Sequence, residues 1–360
     1  MAAPEILFIT RKWAPAVGGM ETWAHRLSEE LARLAPVKVI ALPGREDGRP
    51  PSPAALLGFP FTVLRRILAR KTAPDVVHIG DMALWPLGVL ARWRFGAARV
   101  VLTAHGTDVS YPRRGGIKGR AYGAYLRLGA RLLRQALVTA NSPATERITR
   151  GYGWKNILVI PLATDLVASP EVTAPGRHLL FAGRLVERKG CAWFIRQVLP
   201  LLPSEIELHV AGPLTDPQEA AALGNQRVSY LGTLGGEALA RAYREALAVV
   251  VPNIEPANGE FEGFGLVACE AAAAGGVVLA ADCGGLPAAV IDKVTGMLVE
   301  SADPRAWVQA IEAVSGWPAG HRAGFVTGSL AAIADHYRWP RVAEATLTAY
   351  LTDPKDFRIH

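Results

Sequence analysis

Short, mostly apolar runs alternate with amphipathic stretches along the chain. In the first half, Ile6-Leu7-Phe8-Ile9, Val37 to Leu42, Asp75 to Ile79, Ala98 to Ala104, Ala136 to Ala140 and Ile157 to Ile160 each read as a buried strand. Between them, Glu21 to Leu34 places Trp23, Leu27 and Leu31 on one helical face, and Phe61 to Lys71 and Asp81 to Arg94 also read as helices. Residues 43–55, rich in Pro and Gly, read as loop. The pattern restarts after a proline-bearing linker at 166–177. His178 to Ala182, Ile206 to Ala211, Val228 to Gly232, Ala248 to Pro252 and Val277 to Ala280 are strands, with helical stretches between. Repeated β–loop–α–β units predict an α/β chain built from two doubly wound, Rossmann-like halves. The first is expected over 1–165 and the second over 178–337, with a final helix around Val342 to Leu351.

Composition narrows the class. A chain of 360 residues, half of them apolar and a fifth charged, is long enough for two ordinary cores. Three scattered cysteines (Cys191, Cys269 and Cys283) supply neither a disulfide framework nor a zinc site and suit a reducing, cytoplasmic setting. The first residues lack the basic region and long apolar run of a signal peptide, and no apolar run is long enough to span a bilayer.

Charge is uneven. Residues 1–170 hold 24 Lys and Arg against 11 Asp and Glu, whereas residues 171–360 hold 15 against 21. No acid occurs from Val109 to Thr145, a stretch that carries Arg113, Arg114, Lys118, Arg120, Arg127 and Arg131 among tyrosines and leucines. From Lys118 onward it reads as a helix with basic and apolar positions interleaved. A solvated basic face over a core explains that pattern. Docking on anionic lipid explains it equally. No nucleic-acid-binding module is recognisable, and nucleic acid is not expected as a partner.

Candidate chemistry centres on Glu262-Gly263-Phe264-Gly265-Leu266, followed by an alanine-rich helix bearing Glu270 and ended by Gly275-Gly276. A helix that opens just after glycines offers free N–H groups and a partial positive charge to a phosphate. Glu270 would lie roughly 6 Å along that helix from Leu266, where a carboxylate can take both hydroxyls of a ribose. Two surface acids near an ordinary helix start are the plainer account. Elsewhere, Gly183-Arg184 and Lys189-Gly190 follow a strand and offer two cations to a diphosphate. His105 and Asp108 follow another strand, and Gly18-Gly19 with Glu21 precede the first helix.

The Gly-Gly-x-Glu of the first loop, the His-Gly pair, Gly-Arg-x4-Lys-Gly and Glu-x7-Glu with Gly-Phe-Gly inside it, in this order along the chain, resemble retaining glycosyltransferases of family GT4. The likeness runs from about residue 6 to residue 315. It implies a GT-B fold, two Rossmann-like domains facing each other across a cleft, with the C-terminal residues (about 338–360) crossing back to the first. It also implies roles. Glu270 would bind the donor ribose. Glu262 and the amides of Gly263, Phe264, Gly265 and Leu266 would approach sugar and phosphates. Arg184 and Lys189, with Gly183, would hold the diphosphate. His105 would contact the sugar near the reacting carbon, and Gly18 and Gly19 would lie near the phosphates. Glu21 and Asp108 would stand near the acceptor or behind it, and domain closure would bring His105 and Gly18-Gly19 onto the donor. The donor base would rest against backbone in the 232–237 loop. Where the family often shows Pro-Asn-Gly-Val-Asp, this chain has Pro161-Leu-Ala-Thr-Asp165.

The activity so implied is transfer of a hexose-type sugar, with retention, from a UDP- or GDP-sugar to a hydroxyl of a glycan or lipid-linked acceptor. A bacterial lipopolysaccharide, exopolysaccharide or glycolipid made at the inner membrane face is the setting. No cofactor is expected, and, without an Asp-x-Asp motif, no metal. A GT-B sugar-nucleotide epimerase of the UDP-N-acetylglucosamine 2-epimerase type is the alternative from another class. A non-catalytic polyanion or membrane binder is the third.

Overall fold

The computed structural model describes residues 3–16, 18–166 and 176–352 of the chain. Residues 167–175 of the expected 166–177 linker, and 353–360 at the C-terminus, lie outside the described residues. The chain divides into two compact units, one running up to Leu162 and resuming at Trp339, the other spanning Ala163–Arg338.

In the first unit, β1 (Ile6–Thr10), α1 (Gly19–Leu34), β2 (Val37–Ala41), α2 (Pro53–Ala69), β3 (Val76–Ile79), α3 (Trp85–Phe95) and β4 (Arg99–Ala104) follow in turn. Then come α4 (Thr107–Ser110), α5 (Gly116–Leu132), β5 (Leu137–Ala140), α6 (Pro143–Gly151) and β6 (Ile157–Val159). The six strands form one parallel sheet in the order β2-β1-β3-β4-β5-β6. Strands β1, β3 and β5 are buried throughout, because helices cover both sheet faces; this is why they read as mostly apolar runs without alternation.

Helix α2 departs from the sequence reading. The segment assigned to loop up to residue 55 already enters the helix at Pro53. Ser52 accepts a hydrogen bond from the Ala55 N–H and Pro53 takes the first position, so a capped start overrides the proline-rich composition. The expected helix from Asp81 opens as a 3-10 turn at Met82–Leu84, capped by the Asp81 side chain, before α3.

The second unit runs β7 (His178–Ala182), α7 (Cys191–Gln197), β8 (Glu207–Ala211), α8 (Pro217–Ala222), β9 (Val228–Gly232), α9 (Gly236–Glu245) and β10 (Ala248–Val251). It continues with α10 (Leu266–Ala273), β11 (Val278–Ala281), β12 (Met297–Val299), α11 (Pro304–Ser315) and α12 (Ala319–His336). Its parallel sheet has the order β12-β11-β10-β7-β8-β9.

The last helix, α13 (Trp339–Leu351), packs on α1 in the first unit. Its tether is a buried polar chain. The Tyr350 hydroxyl meets His78 Nδ1, His78 Nε2 meets Thr103 Oγ1 at 2.7 Å, and Thr103 meets Thr139 at 2.7 Å. Arg99 donates to the Tyr350 carbonyl and Arg341 to that of Pro161. Burial, with His105 adding to it, pushes the His78 pKa down to about 3, so the imidazole is neutral at ordinary pH.

Candidate active site

Doubly wound sheets bind ligands beyond the C-terminal strand ends, at the point where the strand order reverses. In the second unit that point lies between β7 and β10, and the loops leaving these two strands carry Glu187–Lys189 and Asn253–Gly265. Backbone contact welds them together. Gly190 takes a left-handed conformation, and a Cβ there would come within 1.9 Å of the Pro252 carbonyl oxygen. Likewise, a Cβ on Gly285 would come within 2.0 Å of the Gly263 carbonyl oxygen.

This framework concentrates charge. Lys189 Nζ lies 2.8 Å from Glu262 Oε2, and Arg188 Nε approaches the same oxygen at 3.6 Å. Arg188 also reaches Glu260 at 3.4 Å, and Asn253 Nδ2 donates to Glu262 at 3.3 Å. Burial alone would raise the Glu262 pKa; Lys189 first, then Arg188, outweigh it and hold the carboxylate below its ordinary value.

Helix α10 begins beside this cluster. Its N-cap is Gly265, which brings no side-chain cap, so the first N–H groups keep their partial positive charge for an incoming group. Leu266 opens the helix half-buried. Phe264 is buried against Tyr337, so its side chain serves the core and only its backbone is available to a ligand. Glu270, one turn on, has no side-chain hydrogen bond or ion pair among the described residues. Burial raises its pKa against the pull of Lys189, with Asp165 adding to the rise. Arg184, just past β7 and Gly183, is exposed and forms no ion pair among the described residues. The unit therefore holds an ionised Glu262 pinned by two cations, a half-buried Glu270 without a partner among the described residues, and an uncapped helix start.

The first unit reverses its strand order between β1 and β3. A hollow of about 390 Å³ at these strand ends is lined by Arg11, Lys12, Asp81, Asp108, Tyr111 and Tyr122. Here the polar groups serve one another. Arg11 pairs with Asp81 at 2.8 Å, and Lys12 with Glu21 at 3.3 Å. Asp108 accepts from the Met82 N–H and the His105 N–H, and burial raises its pKa. His105 Nε2 meets the Gly80 carbonyl at 2.8 Å, its own carbonyl accepts from Asn141, and its ring lies edge-on to Trp23. Gly18 caps α1 with its carbonyl, which accepts the Thr22 N–H, and Gly19 is the first residue of the helix.

Profiles of two glycosyltransferase families divide the chain between them. The one described as Glycosyltransferase Family 4 matches residues 17–167, and the one described as Glycosyl transferases group 1 matches 176–315. The D-inositol 3-phosphate glycosyltransferase of Actinosynnema mirum is 31% identical over 381 residues, covering 92% of this chain and 87% of the relative. The chain belongs to glycosyltransferase family 4. Its fold is GT-B. The sucrose-phosphate synthase of Thermosynechococcus elongatus superposes with a TM-score of 0.75 at 22% identity, over 97% of this chain and 98% of that one. Anabaena HepE in complex with UDP-glucose does so with a TM-score of 0.70 at 18% identity, over 97% and 99%.

The structure of this family 4 chain brings Lys189, Glu262 and Glu270 together in one unit, and His105, Asp108 and Glu21 in the other. Arg113 and Arg114 lie in a 3-10 turn at Tyr111–Arg114, ahead of α5. Sequence reasoning passed over Arg188 and Asn253, which hold Glu262, and over Arg11, Lys12 and Asp81. The missed signal was position: Arg11-Lys12 and Asp81 each stand immediately past the strands that flank the reversal of strand order.

Proposed function

We propose that this glycosyltransferase moves a hexose-type sugar from a UDP- or GDP-sugar to a hydroxyl of a glycan or lipid-linked acceptor, with retention and without a metal. The observation that carries the donor assignment is Glu270, a half-buried carboxylate left without a partner among the described residues, beside a cation and an uncapped helix start. Such a group costs stability unless a ligand with hydroxyl donors completes it. The ribose is that ligand in this reading. The diphosphate then lies at the mouth of α10, where Lys189, Arg184 and the helix N–H groups stabilise the charge that develops on the departing nucleoside diphosphate.

The names of similar proteins fit this range. The Actinosynnema relative is named a D-inositol 3-phosphate glycosyltransferase, and the HepE structure is a complex with UDP-glucose. The first-unit hollow suits a polyol: paired carboxylates and cations offer acceptors and donors to hydroxyls, and Tyr111 and Tyr122 offer aromatic walls. With retention, the leaving phosphate takes the proton of the attacking acceptor hydroxyl as the new glycosidic bond forms on the same face.

The test is release of nucleoside diphosphate from a panel of UDP-, GDP-, ADP- and dTDP-sugars, with and without EDTA, by wild type and Glu270→Ala. One donor is expected to be turned over, insensitively to EDTA and not by the variant. Loss of turnover in EDTA would overturn the metal-free reading. Interconversion of the donor sugar without release of diphosphate would favour an epimerase.

A further inference from the structure

One face of the first unit is built from α2, α3 and α5. All three contribute to a single core with the sheet: Phe59, Val63 and Ile67 from α2, Leu87 and Ala91 from α3, and Leu126 and Ala130 from α5. Their opposite sides therefore point outward together.

That outer side has an unusual composition. The helices, of 17, 11 and 17 residues, carry no Asp or Glu at all, and eight Lys and Arg: Arg65, Arg66, Arg92, Arg94, Lys118, Arg120, Arg127 and Arg131. The same side exposes large apolar groups. Leu57 is 76% exposed, Phe61 73%, Trp93 74% and Ile117 81%, with Leu68, Leu128 and Leu132 about half exposed. Leu57, Phe61 and Leu68 follow helical spacing on α2, as do Ile117, Leu128 and Leu132 on α5, so each helix presents a stripe and not scattered residues. Helix α1 shows the ordinary alternative: its outer side pairs Arg26 with Glu29 and Arg33 with Glu30. At the edge of the acid-free layer, a hollow of about 330 Å³ is lined by Arg127, Arg131, Arg134 and Lys155, again without a carboxylate.

We infer that this three-helix layer docks on an anionic lipid bilayer, with Leu57, Phe61, Trp93 and Ile117 entering the interface and the arginines meeting lipid phosphates. Complementarity selects the occupant. Apolar stripes framed by cations of one sign fit a surface that is negative at the headgroups and apolar beneath. A folded partner that covered the apolar stripes would still have to supply carboxylates for eight cations. No helix among the described residues is long and apolar enough to cross a membrane, so contact is in the plane of the surface. The docking face extends well beyond the basic stretch singled out from sequence: α2 and α3 supply its most exposed leucine, phenylalanine and tryptophan. The inference deepens the proposed function, on which it rests only for the acceptor being lipid-linked.

Flotation with phosphatidylglycerol–phosphatidylcholine vesicles tests it without any turnover. Wild type is expected to float with these vesicles and not with pure phosphatidylcholine, and the double variant Leu57→Glu/Phe61→Glu to bind about tenfold or more weakly. Trp93→Glu, on another helix, is expected to weaken binding as well. Circular dichroism and release of nucleoside diphosphate from a soluble donor should match wild type in both variants, which separates this outcome from misfolding and from failure of the donor assignment. Three results would overturn the inference: no binding of wild type to anionic vesicles, equal binding by the variants, or a wild-type dimer that the double variant converts to monomer.

Discussion

The two units place charged clusters at equivalent points, the reversal of strand order, yet treat them in opposite ways. In the first unit every charge at the site is spent internally: Arg11 on Asp81, Lys12 on Glu21, Asp108 on two backbone N–H groups. In the second, Glu270 and Arg184 have no ion-pair partner among the described residues and α10 is left without a side-chain cap, while Glu262 is pinned by Lys189 and Arg188. A saturated cluster suits a neutral, hydroxyl-rich ligand that trades hydrogen bonds one for one. An unsaturated one suits a ligand that brings its own charge, such as a nucleoside diphosphate. The proposed donor and acceptor roles rest on how completely each cluster satisfies itself.

Removing the cation that both acids of the second unit feel gives the largest expected effect. Lys189→Ala should lower donor turnover by about 10²–10³-fold, the range for losing one preorganised charge stabiliser. Arg184→Ala, at an exposed position, should cost less. Equal losses in the two variants, measured as diphosphate release under saturating donor, would erase the distinction between a buried cation and an exposed one.

The two glutamates sharpen the contrast through stability. The Glu262 pKa is depressed in the folded state, so its ionised form stabilises the fold above the unfolded value, and that contribution fades as pH falls through the folded value. Glu262→Gln should therefore lower the melting temperature at pH 7, because Lys189 and Arg188 lose their partner. Glu270 has the opposite sign. Its pKa is raised, so its ionised form costs stability at pH 7. Glu270→Gln should raise the melting temperature of the ligand-free protein by roughly a degree or more while lowering donor turnover, by less than Lys189→Ala does. A fall in both variants, by calorimetry, would mean that Glu270 is structural.

The first unit should respond differently. Replacing His105 with Ala empties a site packed on Trp23 and leaves the Gly80 carbonyl unpaired. Melting temperature and transfer to an acceptor should both fall, while the dissociation constant for the free nucleoside diphosphate stays within about twofold of wild type, since the site that binds it is unchanged. Weakened nucleotide binding, by calorimetric titration, would contradict the assignment of His105 to the saturated cluster.

Much of this was legible in the chain. Buried parallel strands announce themselves as apolar runs, and glycines that precede helices mark Glu262 to Leu266 and Lys189-Gly190. What stayed hidden depends on partners distant in sequence. That Arg188 serves Glu262 is set by the weld of Gly190 to Pro252, and no local pattern encodes it. The saturation of His105 and Asp108 depends on Gly80 and Met82, more than twenty residues earlier. Likewise, the basic stretch at 118–131 was visible, but its continuity with Phe61 and Trp93 exists only once the sheet sets three helices side by side.

His78 lies outside both clusters. It is neutral and fully buried, joining Tyr350 of α13 to Thr103 of β4, with its pKa depressed to about 3. Below about pH 6.5 the unfolded chain binds a proton at this position that the folded chain refuses. Stability is therefore fully present above that pH and is lost as pH falls toward 3. This site alone should cost about 2 kcal/mol between pH 7.5 and pH 5. His78→Gln, which keeps a hydrogen-bonding side chain but cannot titrate, should be less stable at pH 7.5 and flatter with pH across that window. Because the bond to Tyr350 fixes α13 against the sheet, the same variant should expose residues 339–351 to hydrogen exchange ahead of the rest of the unit. A pH slope identical to wild type would place the proton uptake elsewhere and leave His78 as packing alone.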